Sequence, residues 1–336
     1  MTTAAEAFIA LAKQSGQNTA ATTLFKALAT VSRAAPIKDQ RQVRVEHPAS
    51  ASRYTRRKSK TQTPSYLGGA NASFALYPKF IGAALLACGF QVTTVDNTTY
   101  YTHTFTLGSA AAHKWMTAAW YVPTSTAFTT RLIDARAQSL NVNGTTDEIL
   151  CDMVMRSLSQ GQMSGSPTYT AEESEEILPW LGSRTLTING KSITENVQGC
   201  NLQITNNLDQ NRRSLWTPNR TDLPPTDIDV GVVLTDIDLT KDLYYASFYG
   251  ATGGSAVDLD PVVGSLEWEW QSANNISGAG VPYRFAVDIP SVEFFPDPDS
   301  MPAQNADVMT MNINAFMTDD VTTPISIELD NDVSAY

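Results

Sequence analysis

The residues best suited to chemistry are few and scattered along the chain. The histidines His47, His103 and His113 lack the H-x-x-H and H-E-x-x-H spacings that place two zinc ligands on one helix. No G-x-S-x-G, G-x-x-x-x-G-K or G-x-G-x-x-G motif occurs. His103 lies on the apolar face of a predicted strand, so we interpret it as a core histidine with a backbone partner. We therefore expect no enzyme activity, no metal and no cofactor.

Carboxylates are the remaining candidates for catalysis. Glu267 and Glu269 share one face of an alternating segment, and Trp268 and Trp270 share the other. Neighbouring carboxylates can reach the separations of roughly 5 to 9.5 Å that glycosidases use. Alternation instead favours a solvated Glu face over a buried Trp face. The two aspartates of segment 297–299 lack the Gly and the terminal Glu of a calcium-binding EF-hand loop.

The three cysteines, Cys88, Cys151 and Cys200, are far apart in the sequence. An odd number cannot pair completely within the chain, and no C-x-x-C pair is present. We predict that all three are reduced, buried and act as small apolar side chains.

The charge of the chain is divided unevenly. Its 336 residues include 23 basic and 34 acidic side chains, a net charge of −11. Residues 1–60 contain 11 basic and 3 acidic side chains (+8), so residues 61–336 carry 12 and 31 (−19). A basic segment before an acidic body indicates either a nucleic-acid-binding arm or a contact with an acidic protein surface. The basic excess is concentrated in Arg53, Arg56, Arg57, Lys58 and Lys60.

Composition also limits the class of protein. The hydrophobic fraction of 42% is enough for a core, so the chain is not globally disordered. No apolar run reaches the roughly 18 to 20 residues of a membrane-spanning helix. The acidic Glu6 near the start does not fit the basic beginning of a signal peptide.

Short helices are predicted in an N-terminal segment of residues 1–36. The apolar positions of Phe8–Ala12 fit one short helix, and Thr22–Ser32 fit a second. Pro36 ends this pattern because proline cannot continue a helix.

Residues 37–336 are predicted to form a single β domain. Residues 49–69 have no apolar period, which predicts an extended loop. The principal helix is predicted at about 78–89, where Pro78 suits a first turn and Gly89 suits a helix end. Because this helix is apolar nearly all round, we expect it to be buried against a sheet.

Alternation at period two dominates the remaining sequence and is typical of half-buried antiparallel strands. A change of parity between Leu234 and Ile237 predicts a β-bulge near Thr235. The fold class is therefore mainly β, an antiparallel sandwich or barrel with one principal helix. The positions that define the strand faces are Tyr101, His103, Phe105 and Leu107; Ile149, Cys151, Met153 and Met155; Cys200, Leu202 and Ile204; Ile228, Val230, Val232 and Leu234; Tyr283, Phe285, Val287 and Ile289; and Met309, Met311, Ile313, Ala315 and Met317.

Several short motifs follow one another over most of the chain. They are Lys13–Gly16, Thr19–Thr22, Gly68–Gly69, Pro78–Phe90, Tyr101–Phe105, Trp115–Val122, Gly199–Leu208 and Ile289–Val292. In order and spacing they resemble the major tail tube proteins of bacteriophages with long, non-contractile tails.

The resemblance implies a structural virion protein with a β-sandwich-like domain flanked by a helix. Six copies would form a ring, and rings would stack into a tail tube that conducts DNA during ejection. The implied partners are further copies of the chain and the tape-measure, tail-terminator and baseplate or tip proteins. Double-stranded DNA would pass transiently, no membrane would be bound, and the protein would be located in the virion tail.

The resemblance also implies that a long early loop bridges neighbouring rings. We expect an acidic lumen as well, because like charge keeps a sliding duplex from binding. Two other functions remain open: a different self-assembling virion protein (capsid or decoration), or a carbohydrate-binding β-sandwich that uses Trp268 and Trp270. The expected inter-ring contact joins Arg53, Arg56, Arg57, Lys58 and Lys60 to Glu172, Glu173, Glu175 and Glu176.

Overall fold

A computed structural model provides the fold. Most of the predicted loop at 49–69 lies outside the described residues. The structure describes residues 8–33, 37–38, 66–108, 113–122, 128–144, 149–163, 168–169, 178, 184–188, 191–192, 197, 199–210, 221–238, 262–297, 310–318 and 322–336.

The fold is mainly β and antiparallel, as the alternation predicts, and the described residues include one helix, α1 (Ile81–Ala87). The strands are β1 (Phe8–Lys13), β2 (Thr23–Arg33), β3 (Ile37–Lys38), β4 (Tyr66–Ala75), β5 (Phe90–Asp96), β6 (Tyr101–Leu107), β7 (Met116–Val122), β8 (Phe128–Gly144), β9 (Ile149–Met163), β10 (Thr168–Tyr169), β11 (Arg184–Ile188), β12 (Lys191–Ser192), β13 (Gly199–Leu208), β14 (Pro225–Asp238), β15 (Val262–Asn275), β16 (Pro282–Asp297), β17 (Thr310–Met317) and β18 (Ser326–Asn331).

Six strands pair in a closed cycle in the order β1, β2, β4, β9, β8, β7 and back to β1. All six pairings are antiparallel. Closure of the cycle gives each of these six strands a partner on both sides, so none of them is an edge strand.

A second group of strands extends from the far end of β8. Residues 139–144 of β8 pair with β13, and the sheet continues through β14 and β17 to β16. β16 pairs along one side with β15. Along its other side it pairs with β18 through Arg284–Asp288 and with β17 through Val292–Asp297. β18 continues to β6 and β5, and β15 continues to β11 and β12.

Helix α1 lies inside the core. All seven of its residues are buried, and it contacts β1, β5 and β8. The helix is shorter than the predicted 78–89, because residues 78–80 form a turn before it. Gly89 follows with a φ of 99°, a left-handed conformation that favours glycine and ends the helix as predicted.

The predicted strand faces agree with the structure wherever their residues are described. The apolar sets of β9, β13 and β16 are buried, and so are His103 and Phe105 of β6. The predicted bulge is also confirmed, since the pairing of β14 with β17 shifts register between Leu234 and Ile237. Pleating fixes a period of two, so these faces follow directly from the order of residues.

The prediction of two N-terminal helices is wrong. Phe8–Ala12 lies in β1 and Thr23–Ser32 lies in β2. β1 is a central strand between β2 and β7, and its first five residues are all buried. A strand buried on both faces is a continuous apolar run, which periodicity alone cannot distinguish from a short buried helix.

The predicted loop at 49–69 also ends earlier than expected, because β4 begins at Tyr66. A Cβ atom on Gly68 would lie 2.1 Å from Ser157 Oγ, so this glycine allows β4 to approach β9 closely. The glycine pair therefore belongs to a packed strand pair and does not mark a loop end.

Candidate functional site

The paired strands β15, β16 and β18 carry a concentration of charged side chains on one face. Because successive residues point to opposite sides, one face of these strands is apolar and the other is polar. Trp268, Trp270, Phe285, Ile327 and Leu329 are buried on the apolar side. The side chains on the opposite side define what we call the acidic face: Glu267, Glu269, Arg284, Asp288, Glu328 and Asp330.

Arg284 lies at the centre of the acidic face. Its Nε donates to Glu269 Oε2 at 2.8 Å, and its Nη1 donates to Glu328 Oε2 at 2.8 Å. Asp330 Oδ2 lies 3.6 Å from the same Nη1. Burial alone would lower the pKa of Arg284, but the bonds to Glu269 and Glu328 raise it above its usual value. The guanidinium is thus a permanently charged group held by three carboxylates.

The acidic face has a net charge of −4, from five carboxylates and one guanidinium. Glu267 and Asp288 are directly paired across β15 and β16. Partial burial, followed by the charges of Glu267 and Glu328, raises the pKa of Asp288 above its usual value. A cavity of about 310 Å³ opens over this face. The arrangement suits repulsion of anions or contact with a cationic group.

The polar side continues onto β6 and β5, where the charges give way to hydroxyl groups. Thr102, Thr104 and Thr106 of β6 follow the β18 side of the acidic face. β5 is the last strand on this side of the sheet. Its edge opposite β6 has no strand partner among the described residues. Most of β5 is exposed, including Val95 at 53%. The backbone groups along this edge could pair with a strand from another chain.

Trp268 and Trp270 are not available to a ligand from solvent. They are 3% and 2% exposed, and Trp270 stacks on Phe285 at 5.9 Å between ring centroids. The expected solvated Glu face over a buried Trp face is confirmed. A carbohydrate site built on these two tryptophans therefore loses the residues on which it depended.

A second group of polar residues is buried around β8. We call Gln14, His113, Asp134, Arg136 and Asn206 the buried polar cluster; each is at most 6% exposed. It contrasts with the acidic face because its polar groups are turned towards protein atoms.

Arg136 packs its guanidinium over the ring of Trp115, with 3.8 Å from Cζ to the ring centroid, and donates to the carbonyl of Leu223. Burial lowers the pKa of Arg136, although the nearby Asp222 and Asp134 act in the opposite direction. Burial likewise raises the pKa of Asp134, whose Oδ1 accepts the N–H of Asn18 at 2.7 Å.

Asp134 has a φ of 55° within β8, an uncommon conformation for a residue other than glycine. In the orientation that satisfies both ends of its amide, Gln14 donates to Asp134 Oδ1 at 2.9 Å and accepts from the Asp134 N–H at 3.1 Å. These bonds fix the loop between β1 and β2 against β8.

His113 connects this cluster to the end of α1. Its Nε2 donates to the carbonyl of Ala87 at 3.2 Å. Burial, and then the charge of Arg136, lower the pKa of His113 to about 4, although the Ala87 bond raises it. Asn206 donates to the carbonyl of Ala137 at 3.1 Å, so the cluster also joins β13 to β8. The described bonds of the cluster therefore connect β8 to β13 and to the loop after β1, and His113 to the end of α1.

The interpretations of His103 and the cysteines are confirmed. His103 is buried, and its Nε2 lies 2.9 Å from the carbonyl of Val333. Thr94 Oγ1 lies 2.9 Å from its other ring nitrogen. The three cysteines are free and buried, and burial raises their pKa values well above the usual one.

The predicted inter-ring residues are not brought together by any described contact. All of them lie outside the described residues: Arg53, Arg56, Arg57, Lys58, Lys60, Glu172, Glu173, Glu175 and Glu176.

Sequence reasoning identified Glu267 and Glu269 but missed Arg284 and the buried polar cluster. Arg284 precedes the buried Phe285 in a strictly alternating strand, and this alternation could have placed it on the polar side. Its partner Glu328 is 44 residues away, so no local pattern reveals the ion pair.

Within the described ranges, no group of three or more histidines, cysteines or carboxylates is arranged to hold a metal ion. The described part of the chain contains no helix that is long and apolar enough to cross a bilayer. No protein-family model and no curated protein sequence matches the chain.

Proposed function

We propose that the protein is a structural virion protein that assembles into stacked hexameric rings forming a phage tail tube. The tube would conduct DNA into the host during ejection. The order of short motifs along the sequence, the mainly β fold and the acidic face together support this function. The proposal includes no enzyme activity and no cofactor, and it locates the protein in the virion tail.

The acidic face is the observation that carries the proposal. Protein affinity for DNA comes mainly from basic side chains that neutralise phosphates. A face with a net charge of −4 that continues into a row of threonines offers the opposite surface. In the proposed tube this face lines the lumen, where it keeps the passing duplex from binding.

The unpaired edge of β5 supports ring formation. Across the sheet, β5 lies at one margin and the β11–β12 hairpin lies at the other, with the acidic face between them. Joining one margin to the opposite margin of the next copy is a heterologous contact, which closes into a ring when the rotation fits. Six copies would then enclose a barrel with no exposed edges.

Stacking of the rings would use a separate contact. We still predict that this contact joins the basic residues of segment 53–60 to the acidic residues of segment 172–176, because their charges are opposite. The tape-measure, tail-terminator and baseplate or tip proteins stay the proposed partners at the ends and inside the tube.

Negative-stain electron microscopy of the purified protein tests the proposal. Hollow tubes or stacked rings are expected. Closed shells would instead favour a capsid or decoration protein, and monodisperse single copies at high protein concentration would contradict self-assembly. A sample in high salt serves as a comparison, because tubes joined by exposed ion pairs should shorten as salt screens them.

A further inference from the structure

Arg284 is the only cation of the acidic face, and an arginine facing a DNA duplex is normally an attractive site for phosphate. A guanidinium presents a planar set of donors that matches a phosphate as well as it matches a carboxylate. An unpartnered arginine here would therefore give each copy one point at which a passing duplex could bind. Whether a phosphate can bind Arg284 depends on the contacts that its guanidinium already makes.

Two of the three guanidinium nitrogens already donate to carboxylates from neighbouring strands. Nε bonds Glu269 of β15 and Nη1 bonds Glu328 of β18, both at 2.8 Å. Gln271 Nε2 donates to the other oxygen of Glu269 at 3.0 Å, and Thr102 Oγ1 donates to Asp330 Oδ1 at 2.7 Å. These bonds orient the carboxylates towards the arginine.

The arginine is also partly covered by its partners. The side chains of Arg284 and Glu269 are 27% and 23% exposed, and that of Asp330 is 9% exposed. A phosphate that approached Arg284 would find two of its donors already engaged in charge-assisted hydrogen bonds and would lie close to three negative charges. Both requirements oppose phosphate binding.

We infer that Glu269 and Glu328 mask Arg284 by accepting hydrogen bonds from its guanidinium. These two ion pairs keep nucleic acid phosphates from binding to the acidic face. The inference rests on the proposed function, since it assigns the masking a purpose in DNA passage. An effect of net charge alone would make the five carboxylates of the acidic face equivalent. The masking of Arg284 instead makes Glu269 and Glu328 more important than the other three.

The test compares two double variants that lose the same charge from the same face. Glu269→Gln with Glu328→Gln removes the two carboxylates that accept hydrogen bonds from Arg284 and leaves Asp330 in place. Glu267→Gln with Asp288→Asn removes two carboxylates of directly opposite residues on β15 and β16, neither of which bonds Arg284 in the described contacts. Binding of a short fluorescent DNA duplex to the full-length proteins is measured by anisotropy at low salt, and circular dichroism verifies that each variant is folded.

We expect the first variant to bind the duplex at least about tenfold more tightly than the second, with an affinity that falls as salt rises. Adding Arg284→Gln to the first variant should abolish the gain. Equal gains in both double variants, no gain in the first, or a gain that survives Arg284→Gln would overturn the inference. Failure to form tubes would contradict the proposed function alone, because the comparison can also be made on unassembled protein.

Discussion

Arg284 and Arg136 both project from β-strands, yet their surroundings differ in almost every respect. Arg284 lies on an open face, donates to two carboxylates and has a raised pKa. Arg136 is 6% exposed, packs on Trp115, donates to the carbonyl of Leu223 and has a lowered pKa. The first has excess negative charge around it, whereas the second has Asp222 and Asp134 nearby but donates to a neutral carbonyl.

The difference separates two uses of charge in one molecule. An exposed ion pair contributes little to stability because water and salt screen it, so charges at the acidic face can serve contact with other molecules. A buried charged group must have its partners in place, because an uncompensated charge in the interior is strongly destabilising. We therefore expect substitutions in the buried polar cluster to affect folding, and substitutions on the acidic face to affect recognition.

The largest effect is expected from Arg136→Met. The substitution leaves Asp134 buried without its nearby cation and removes the contacts to Trp115 and Leu223. We predict a loss of about 3 to 5 kcal/mol in the free energy of unfolding, measured by urea denaturation. Arg284→Met is the matched control, and similar losses for the two variants would contradict the comparison.

An intermediate effect is expected from acid. The pKa of His113 is about 4 in the folded protein, against an ordinary value of about 6.5 in the unfolded chain. Between these values the unfolded chain binds a proton that the folded protein does not, so stability falls as pH decreases from about 6.5 to 4. The His113 contribution to this fall is up to about 3 kcal/mol and should level off below pH 4.

His113→Gln is the control for the acid effect. The groups facing His113 are Arg136 on β8, Asn206 on β13 and the carbonyl of Ala87 at the end of α1. Asp134 has a raised pKa and acts in the opposite direction, so only the difference between the two proteins isolates the histidine. Parallel curves of unfolding free energy against pH would show that His113 does not titrate as described.

The smallest effect on stability is expected from Arg284→Gln. The arginine and Glu328 are 27% and 43% exposed, so solvent screens their attraction, and the less exposed Asp330 keeps its hydrogen bond from Thr102. We predict a loss of no more than about 1 kcal/mol, measured by urea denaturation at low salt and reduced further at high salt. A loss of several kcal/mol would mean that the acidic face supports the fold in the same way as the buried polar cluster.

Much of the sheet could be predicted from the sequence because strand pleating imposes a fixed period. The buried faces of β9, β13 and β16 follow from this rule, and so does the bulge after Leu234. The rule failed at β1, whose Phe8–Ala12 run is apolar on both faces. There the pairing with β2 and β7 decides the structure, and no local feature reports it.

The candidate site was less predictable because its parts come together only through pairing. Glu267 and Glu269 were recognised as a solvated face, since they alternate with tryptophans. The ion pairs of Arg284 with Glu328 and Asp330 form only because β16 pairs with β18. In the buried polar cluster, the bond from Arg136 to Leu223 spans 87 residues.

Helical reconstruction by cryo-electron microscopy of tubes assembled from the purified protein tests whether the acidic face lines the lumen. We predict that Glu267, Asp288 and Glu328 lie at the smallest radius, facing the lumen, and that the edge of β5 opposite β6 pairs with the neighbouring copy in the ring. An acidic face on the outer surface of the tube, or a protein that forms no tubes at any concentration, would contradict it.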